Sequence, residues 1–516
     1  MAGRWRRECG LVGGGAGAAT IAALATYLCT LAPTITWRHH GADSGDLVTA
    51  AINLGVPHPT GYPLYTLLAH LFTRLPGAEP ARGVNLLSAV AAALAVGGVF
   101  VLAYRFAARE GAPGPALAAS ALAAGLFATG ELLWSQATIA EVYSLHALLM
   151  VALLGACLAV PGRHRPYLAA LLLGLALAHH LTAVLFVPAL WPYAGRIRRW
   201  LTVRRALGLA LSLLPGALLY LYVPLRAAAH PVPNWGGATD GAGLWWLISG
   251  AAYRRYVGVL GAGQLAGRLS AWAGIWVRDL GVAGLALALL GLWRLLEDER
   301  PLAWCGLTYL GLLSAYALFY GTADSYLYLL PAAAVVALWV ARGAACLLAR
   351  LRDRLPSPLA TAVACAVLAA LPLLALVGRW PAMDSSGDRA ALDFAQDVLA
   401  HAAPGAIVIS NGDAHTFPLW YLRYGRRQRP DLAVVDRSLL AFDWYRRDLA
   451  ARHPPLEPLA QAGDAHQAAA ILLWQVGAGH TLHLTYADGA LLAAAAWSQQ
   501  GALLTLSPAA RPGGQR

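Results

Sequence analysis

The chain has 516 residues, of which 59% are hydrophobic and only 12% charged, with a mean hydropathy of +0.55. A soluble chain carries about a quarter charged residues, so the composition excludes a soluble globular protein and predicts a polytopic membrane protein. The net charge of +12 rests on arginine alone, because the sequence holds no lysine. Those arginines sit in short loops and not on one basic face, which excludes nucleic acid as a partner.

The opening MAGRWRREC has the basic character of a signal peptide. The apolar run after it is long and lacks a small-residue cleavage site, so a retained first helix over 11–32 is expected. Further spans are predicted over 83–104, 115–133, 139–160, 203–224, 281–296, 301–320, 326–348 and 357–377, each approaching the ~20 residues that cross a bilayer. Residues 166–194 are flanked by arginines on both sides and are too short for two full spans. They are predicted to form two short helices, 166–179 and 181–194, that meet at His179-His180 and return to the same face. That gives eleven helices, two of them short. With the N-terminus inside, the inner loops hold 18 arginines and the longer outer loops of the membrane part hold eight, as the positive-inside rule expects.

This topology defines a membrane domain over 1–380, with outer loops 38–82 and 225–280. The polar segments GELLWSQA and GTADSY fall on the same outer face. After about residue 380 the composition turns soluble. AIVIS and LAVVD, and later HTLHLTYA and ALLTLS, read as short strands among turn and helix signals. A small α/β domain is expected over 381–510, outside, with a disordered tail at 511–516. The fold class is therefore a polytopic all-α membrane protein with a C-terminal soluble α/β domain. Six cysteines lie in or beside apolar spans without a CxxC pair, which predicts neither disulfides nor a cysteine metal site.

The densest polar stretch is GADSGDLVTAAINLGVPHPTGYPLYTLLAH, from Gly41 to His70. Asp43 and Asp46 stand three apart and share a face on a helix start. They serve there as a cap and dipole partners, or as a general base with a second acid that orients it. His58-Pro59 and Gly61-Tyr62-Pro63 make a stiff turn. It is a structural elbow, or it presents His58 and Tyr62 to a site.

Glu141, Tyr143, Ser144 and His146 place polar groups in an apolar span, where ionisable side chains default to functional hypotheses; helix–helix hydrogen bonding is the other reading. His179 and His180, at the hairpin apex, suggest a protein-lined cavity wall and a phosphate contact, while adjacent histidines are poor metal ligands. Arg226 lies just past a span. It can bind a lipid phosphate bidentately or snorkel to headgroups. Asn234 and Trp235 follow it. Tyr253, Arg254, Arg255 and Tyr256 hold an acceptor or meet the membrane surface. Asp324 is a further outer-edge acid. Asn411-Gly412-Asp413 reads as a turn after a strand.

Taken in order, these motifs resemble a known family. The 41–65 stretch, VNLLSA at 84–89, WSQATIAEVYSLHAL at 134–148, GLALAHHLT at 174–182 and YVPLRAAAHPVPNW at 222–235 are similar to the transmembrane protein 260 type family of the GT-C glycosyltransferase superfamily. NGDAHTFPLWYL at 411–422 is similar to a segment of its bacterial members. The resemblance implies a sugar donor on a polyprenyl phosphate, a protein or glycan acceptor hydroxyl on the non-cytoplasmic face, and inverting transfer of a mannose-like sugar. It makes Asp43 the catalytic base. Asp46 stands where relatives often carry Glu. Arg226 with His179 or His180 would receive the carrier phosphate, and His58, Tyr62, Glu141, Tyr143, His146, Asn234, Trp235 and Asp324 would line the site. No metal or other cofactor is implied, and a bacterial inner-membrane location is. The α/β tail departs from the helical repeats of the animal member, so acceptor choice is not carried over. A lipid-linked-substrate transporter or flippase, or a non-catalytic envelope scaffold, remains as an alternative.

Overall fold

The computed structural model describes residues 2–506 except 111, 161, 259–260, 356, 495–496 and 501–502; the expected disordered tail, 511–516, lies outside the described residues. Seven helices among the described residues are long and apolar enough to cross a membrane, or eight if one bent pair counts as a single span. This is a multi-pass membrane protein. The expected eleven helices include shorter ones, and the differences have local causes. The 139–160 span starts only at Tyr143, because residues 138–142 are not helical, leaving Tyr143–Leu158. Glu141 therefore lies in a turn ahead of the helix and not within it. The second arm of the hairpin is not one helix. After Arg165–Leu177, the chain runs through 3-10 turns and the four-residue Phe186–Ala189. Pro188 and Pro192 interrupt it by removing backbone donors.

The chain divides into two compact units. The first comprises residues up to 31, 85–220 and 253–386, and contains most of the long helices. GELLWSQA is not a loop there. Glu131–Ala137 is a buried helix set at 60° to Pro113–Thr129. The expected helix start at 281 appears as a break in Ala262–Asp298, where Gly281 leaves helical geometry at φ +64°.

The second unit gathers residues 32–84 and 221–252, both from the expected outer loops, with the chain from 387 onward. Its sheet has five strands: β1 Ile407–Ser410, β2 Ala433–Asp436, β3 Leu482–Leu484, β4 Ser498–Gln500 and β5 Leu503–Leu506, in the order β2-β1-β3-β5-β4. β1 pairs in parallel with β2 and β3, and β5 pairs antiparallel with β3 and β4. Every residue of β1 and β2 is buried, which explains their continuous apolar, β-branched character. Gly412, at φ +75°, turns the end of β1 into the helix Asp413–Trp420, a conformation glycine adopts without strain. The AIVIS, LAVVD, HTLHLTYA and ALLTLS strands all form, and SQQ adds one.

Candidate functional site

Within the second unit, the helix Ser44–Asn53 carries one acid at its threshold and one in its first turn. Asp43 holds the N-cap position but makes no capping hydrogen bond with its side chain. The Ser44 hydroxyl is bound to the Thr36 backbone, accepting from its N–H and donating to its carbonyl at 3.2 Å each. The Asp43 side chain is 34% exposed, whereas that of Asp46 is 0% exposed.

Asp46 is saturated. Its Oδ2 accepts the His58 backbone N–H at 3.0 Å and pairs with His58 Nδ1 at 2.8 Å, and its Oδ1 accepts the Trp235 indole N–H at 3.1 Å. Three donors compensate a buried carboxylate that would otherwise be costly. The other face of the His58 ring points at Asp43, with Nε2 3.6 Å from Oδ2. The imidazole thus lies between the two acids. Tyr62 packs edge-on against it, ring centroids 5.2 Å apart, and donates its hydroxyl to the Pro59 carbonyl at 3.1 Å.

Trp235 reaches Asp46 because its backbone is pinned to the turn before His58. The Val56 N–H donates to the Pro233 carbonyl at 2.9 Å, and the Trp235 N–H to the Val56 carbonyl at 3.0 Å. The amide of Asn234 donates to the Ala227 carbonyl at 3.3 Å, which fixes this segment further. Around Trp235 stand Phe417, Trp420 and Trp444, with centroids 5.7 to 6.5 Å away.

The C-terminal region joins this site directly. A Cβ on Gly45 would collide with the backbone carbonyl of Phe417, so only glycine allows the helices Ser44–Asn53 and Asp413–Trp420 to approach this closely. Trp37 donates its indole N–H to the Ala414 carbonyl at 2.9 Å. Thr416 donates to Asp436 and hydrogen-bonds Ser410 at 2.8 Å, anchoring the helix on the ends of β1 and β2. Asp413 opens that helix. Its carboxylate makes no hydrogen bond or ion pair among the described residues, and the residue is exposed. Partial desolvation of the carboxyl by the surrounding protein, and then the Asp43 carboxylate, push Asp413 up to about 7. Read as a turn residue from sequence, Asp413 is a third acid of the site.

Arg226 has a different place. Its Nε donates to the Leu54 carbonyl at 2.7 Å and its Nη2 to the Asn53 carbonyl at 3.0 Å. It therefore caps the C-terminal end of the helix that begins beside Asp43, where carbonyls lack partners and a cation suits the dipole. Ten residues of helix separate the two ends by about 15 Å along the axis. Arg226 is a clamp of that helix, and a phosphate contact is left to its Nη1 and to the second N–H of Nη2.

In the first unit, His146, His179 and His180 are all buried and cluster, with ring centroids of His146 and His180 4.8 Å apart and of His146 and His179 6.1 Å apart. His179 Nε2 pairs with the Val142 carbonyl at 2.8 Å, and His180 Nδ1 with Thr182 Oγ1 at 2.7 Å. Tyr143 and Tyr328 flank His180 at 5.8 and 5.7 Å. Glu141 is buried beside them in sequence, its carboxylate accepting the Val142 N–H at 3.3 Å. Asp324 precedes the 3-10 turn Ser325–Leu329, which Arg268 fixes through Ser325 and the Tyr320 and Thr322 carbonyls. No group of three or more His, Cys, Asp or Glu among the described residues is arranged to hold a metal.

Residues 43–200 match the family model described as the protein O-mannosyl-transferase TMEM260 N-terminal domain, and residues 391–463 match TMEM260-associated domain 2. Protein O-mannosyl-transferase TMEM260 of Mus musculus is 27% identical over 484 residues, 88% of this chain and 66% of that protein. The chain thus spans just under two thirds of that relative's length. Among solved structures, ArnT from Cupriavidus metallidurans bound to undecaprenyl phosphate has a TM-score of 0.56 at 15% identity, covering 94% of this chain and 97% of that one. Its apo form gives 0.55 at 14%, covering 94% and 96%. The shared architecture is the GT-C fold.

Proposed function

We propose that this chain, a member of the TMEM260 family by its two matching domains, is an integral-membrane glycosyltransferase that moves a mannose-like sugar from a polyprenyl phosphate to a hydroxyl of a protein. The name of the mouse relative and the carrier lipid in the ArnT structure support this reading. The observation that carries the choice of base is the contrast between the two acids. Asp46 is buried and saturated, while Asp43 is part-exposed beside an imidazole. Of these two, Asp43 is the one that can meet a substrate.

The proposed reaction is a single displacement with inversion. Asp43 takes the proton of the acceptor hydroxyl as its oxygen attacks the anomeric carbon, and the carrier phosphate departs with the bonding pair. The carrier phosphate is assigned to the N–H groups of Arg226 that the Leu54 and Asn53 carbonyls do not take. A monophosphate leaving group held this way is proposed to need no metal or other cofactor. The location proposed is a bacterial inner membrane, with the N-terminus cytoplasmic and the second unit on the outer face.

The test is incubation of the purified protein with a panel of polyprenyl-phosphate sugars and a serine- and threonine-bearing peptide. Transfer by the wild type, lost in Asp43→Asn, is expected. Equal turnover by both would remove Asp43 as the base.

A further inference from the structure

We propose that His58 is a positioning and proton-relay residue, and that Asp46 is its orienter rather than a second base. The inference rests on the glycosyltransferase reading and names a role within it. The geometry is asymmetric. His58 Nδ1 makes a 2.8 Å hydrogen bond to an acid that no solvent reaches, while Nε2 stands 3.6 Å from an acid that solvent does reach. A buried carboxylate on one ring nitrogen fixes the tautomer and ring plane and leaves the other nitrogen to accept a proton. Trp235 holds Asp46 from its other oxygen, so the acid that orients the ring is itself fixed.

The 3.6 Å separation is longer than a hydrogen bond, as apo catalytic contacts often are before substrate closes them. The step balances as follows. The acceptor O–H bond breaks and its electron pair forms the new bond to the anomeric carbon. The anomeric C–O bond to the carrier phosphate breaks and its pair leaves with the phosphate. The proton passes from the hydroxyl to Asp43, is held between Asp43 and His58 Nε2, and leaves to water through the exposed Asp43 carboxylate. Asp46 balances the imidazolium during that passage.

The groups facing His58 are Asp43 and Asp46 from the helix Ser44–Asn53, Tyr62 from its own turn, Trp235, and, through its charge, Asp413. Because Asp413 titrates near neutrality, a pH profile must be read in both the wild type and an Asp413→Asn background.

Two measurements test the relay. In the turnover assay, His58→Gln keeps a donor for Asp46 but cannot carry a proton. A loss of about 10²-fold or more in kcat, with KM for the lipid-linked sugar unchanged and the pH dependence altered in both backgrounds, is expected. Turnover within threefold of wild type with an unchanged profile overturns the relay. The second measurement needs no turnover. Nitrogen-15 NMR of histidine-labelled full-length protein in detergent, with His58→Gln to assign the signal, should show Nδ1 protonated at neutral pH and a shift toward the other tautomer in Asp46→Asn. A ring protonated at Nε2, or one indifferent to Asp46→Asn, overturns the relay. Wild-type inactivity toward every lipid-linked sugar instead overturns the transferase reading.

Discussion

Asp46 and Trp235 are joined by an indole N–H to carboxylate hydrogen bond of 3.1 Å across 189 residues of sequence. The bond ties the first polar segment after the first span to the segment after Val203–Leu219, and it fixes the acid that in turn fixes His58. Trp235→Phe keeps the ring among Phe417, Trp420 and Trp444 but deletes the donor. A buried carboxylate that loses one of three donors costs about 1–3 kcal/mol. Thermal unfolding of the purified variant should show a lowered midpoint, and an unchanged midpoint would contradict the geometry.

Gly45→Ala should destabilise the second unit. The added methyl meets the carbonyl of Phe417, which is backbone and cannot rotate away, and overpacking of this kind costs about 1–3 kcal/mol. Limited proteolysis gives the readout. The helix Asp413–Trp420 should be cut faster in the variant than in wild type.

Arg226→Lys separates a clamp from a phosphate ligand. Lysine cannot place two donors on the Asn53 and Leu54 carbonyls in a fixed fork. A stability loss of about 1–2 kcal/mol with KM for the lipid donor changed less than threefold is expected, read from denaturant unfolding and donor titration. A tenfold rise in that KM without loss of stability would make the phosphate contact, and not the clamp, the main role of Arg226.

Asp413 gives stability a pH dependence of definite sign. Its folded-state value is raised to about 7 from 3.8, so the folded protein holds a proton that the unfolded chain releases. Stability from this group falls as pH rises from about 4 through about 7, and is flat beyond. The unfolding midpoint of Asp413→Asn should therefore rise relative to that of the wild type as pH goes from 5 to 8. A wild-type midpoint that rises over this window, and does so equally in the variant, would contradict the assignment.

Much of this was legible in the sequence, for reasons particular residues make clear. The continuous β-branched runs IVIS and AVVD mark buried strands because both their faces are covered. The polar density from Gly41 to His70 marks the site because acids and a histidine are rare in so apolar a chain. What stayed hidden depends on residues far apart. Spacing puts Asp46 on one helix face with Asp43, as a capping partner or an orienting acid, and only Trp235 and the His58 backbone reveal it as buried. Arg226 carried a charge suited to phosphate, but the carbonyls that occupy it belong to residues more than 170 positions away. Asp413 followed a strand and a glycine, so it read as turn chemistry. Its position beside the charge of Asp43 arises from the approach of Phe417 to Gly45, which no local pattern encodes. The interrupted arm after His180 was signalled by Pro188 and Pro192, and the break at 138–142 by nothing comparable.

The contact between Gly45 and Phe417 has a consequence for how such chains can be recombined. Trp37 and Gly45 bracket the base, and both are pinned to one helix from the chain's last third. A C-terminal region taken from a relative would bring its own helix contour to that seam and displace the very residues that flank Asp43. A working chimera would have to transplant the 37–62 segment together with its C-terminal partner as one inheritable block.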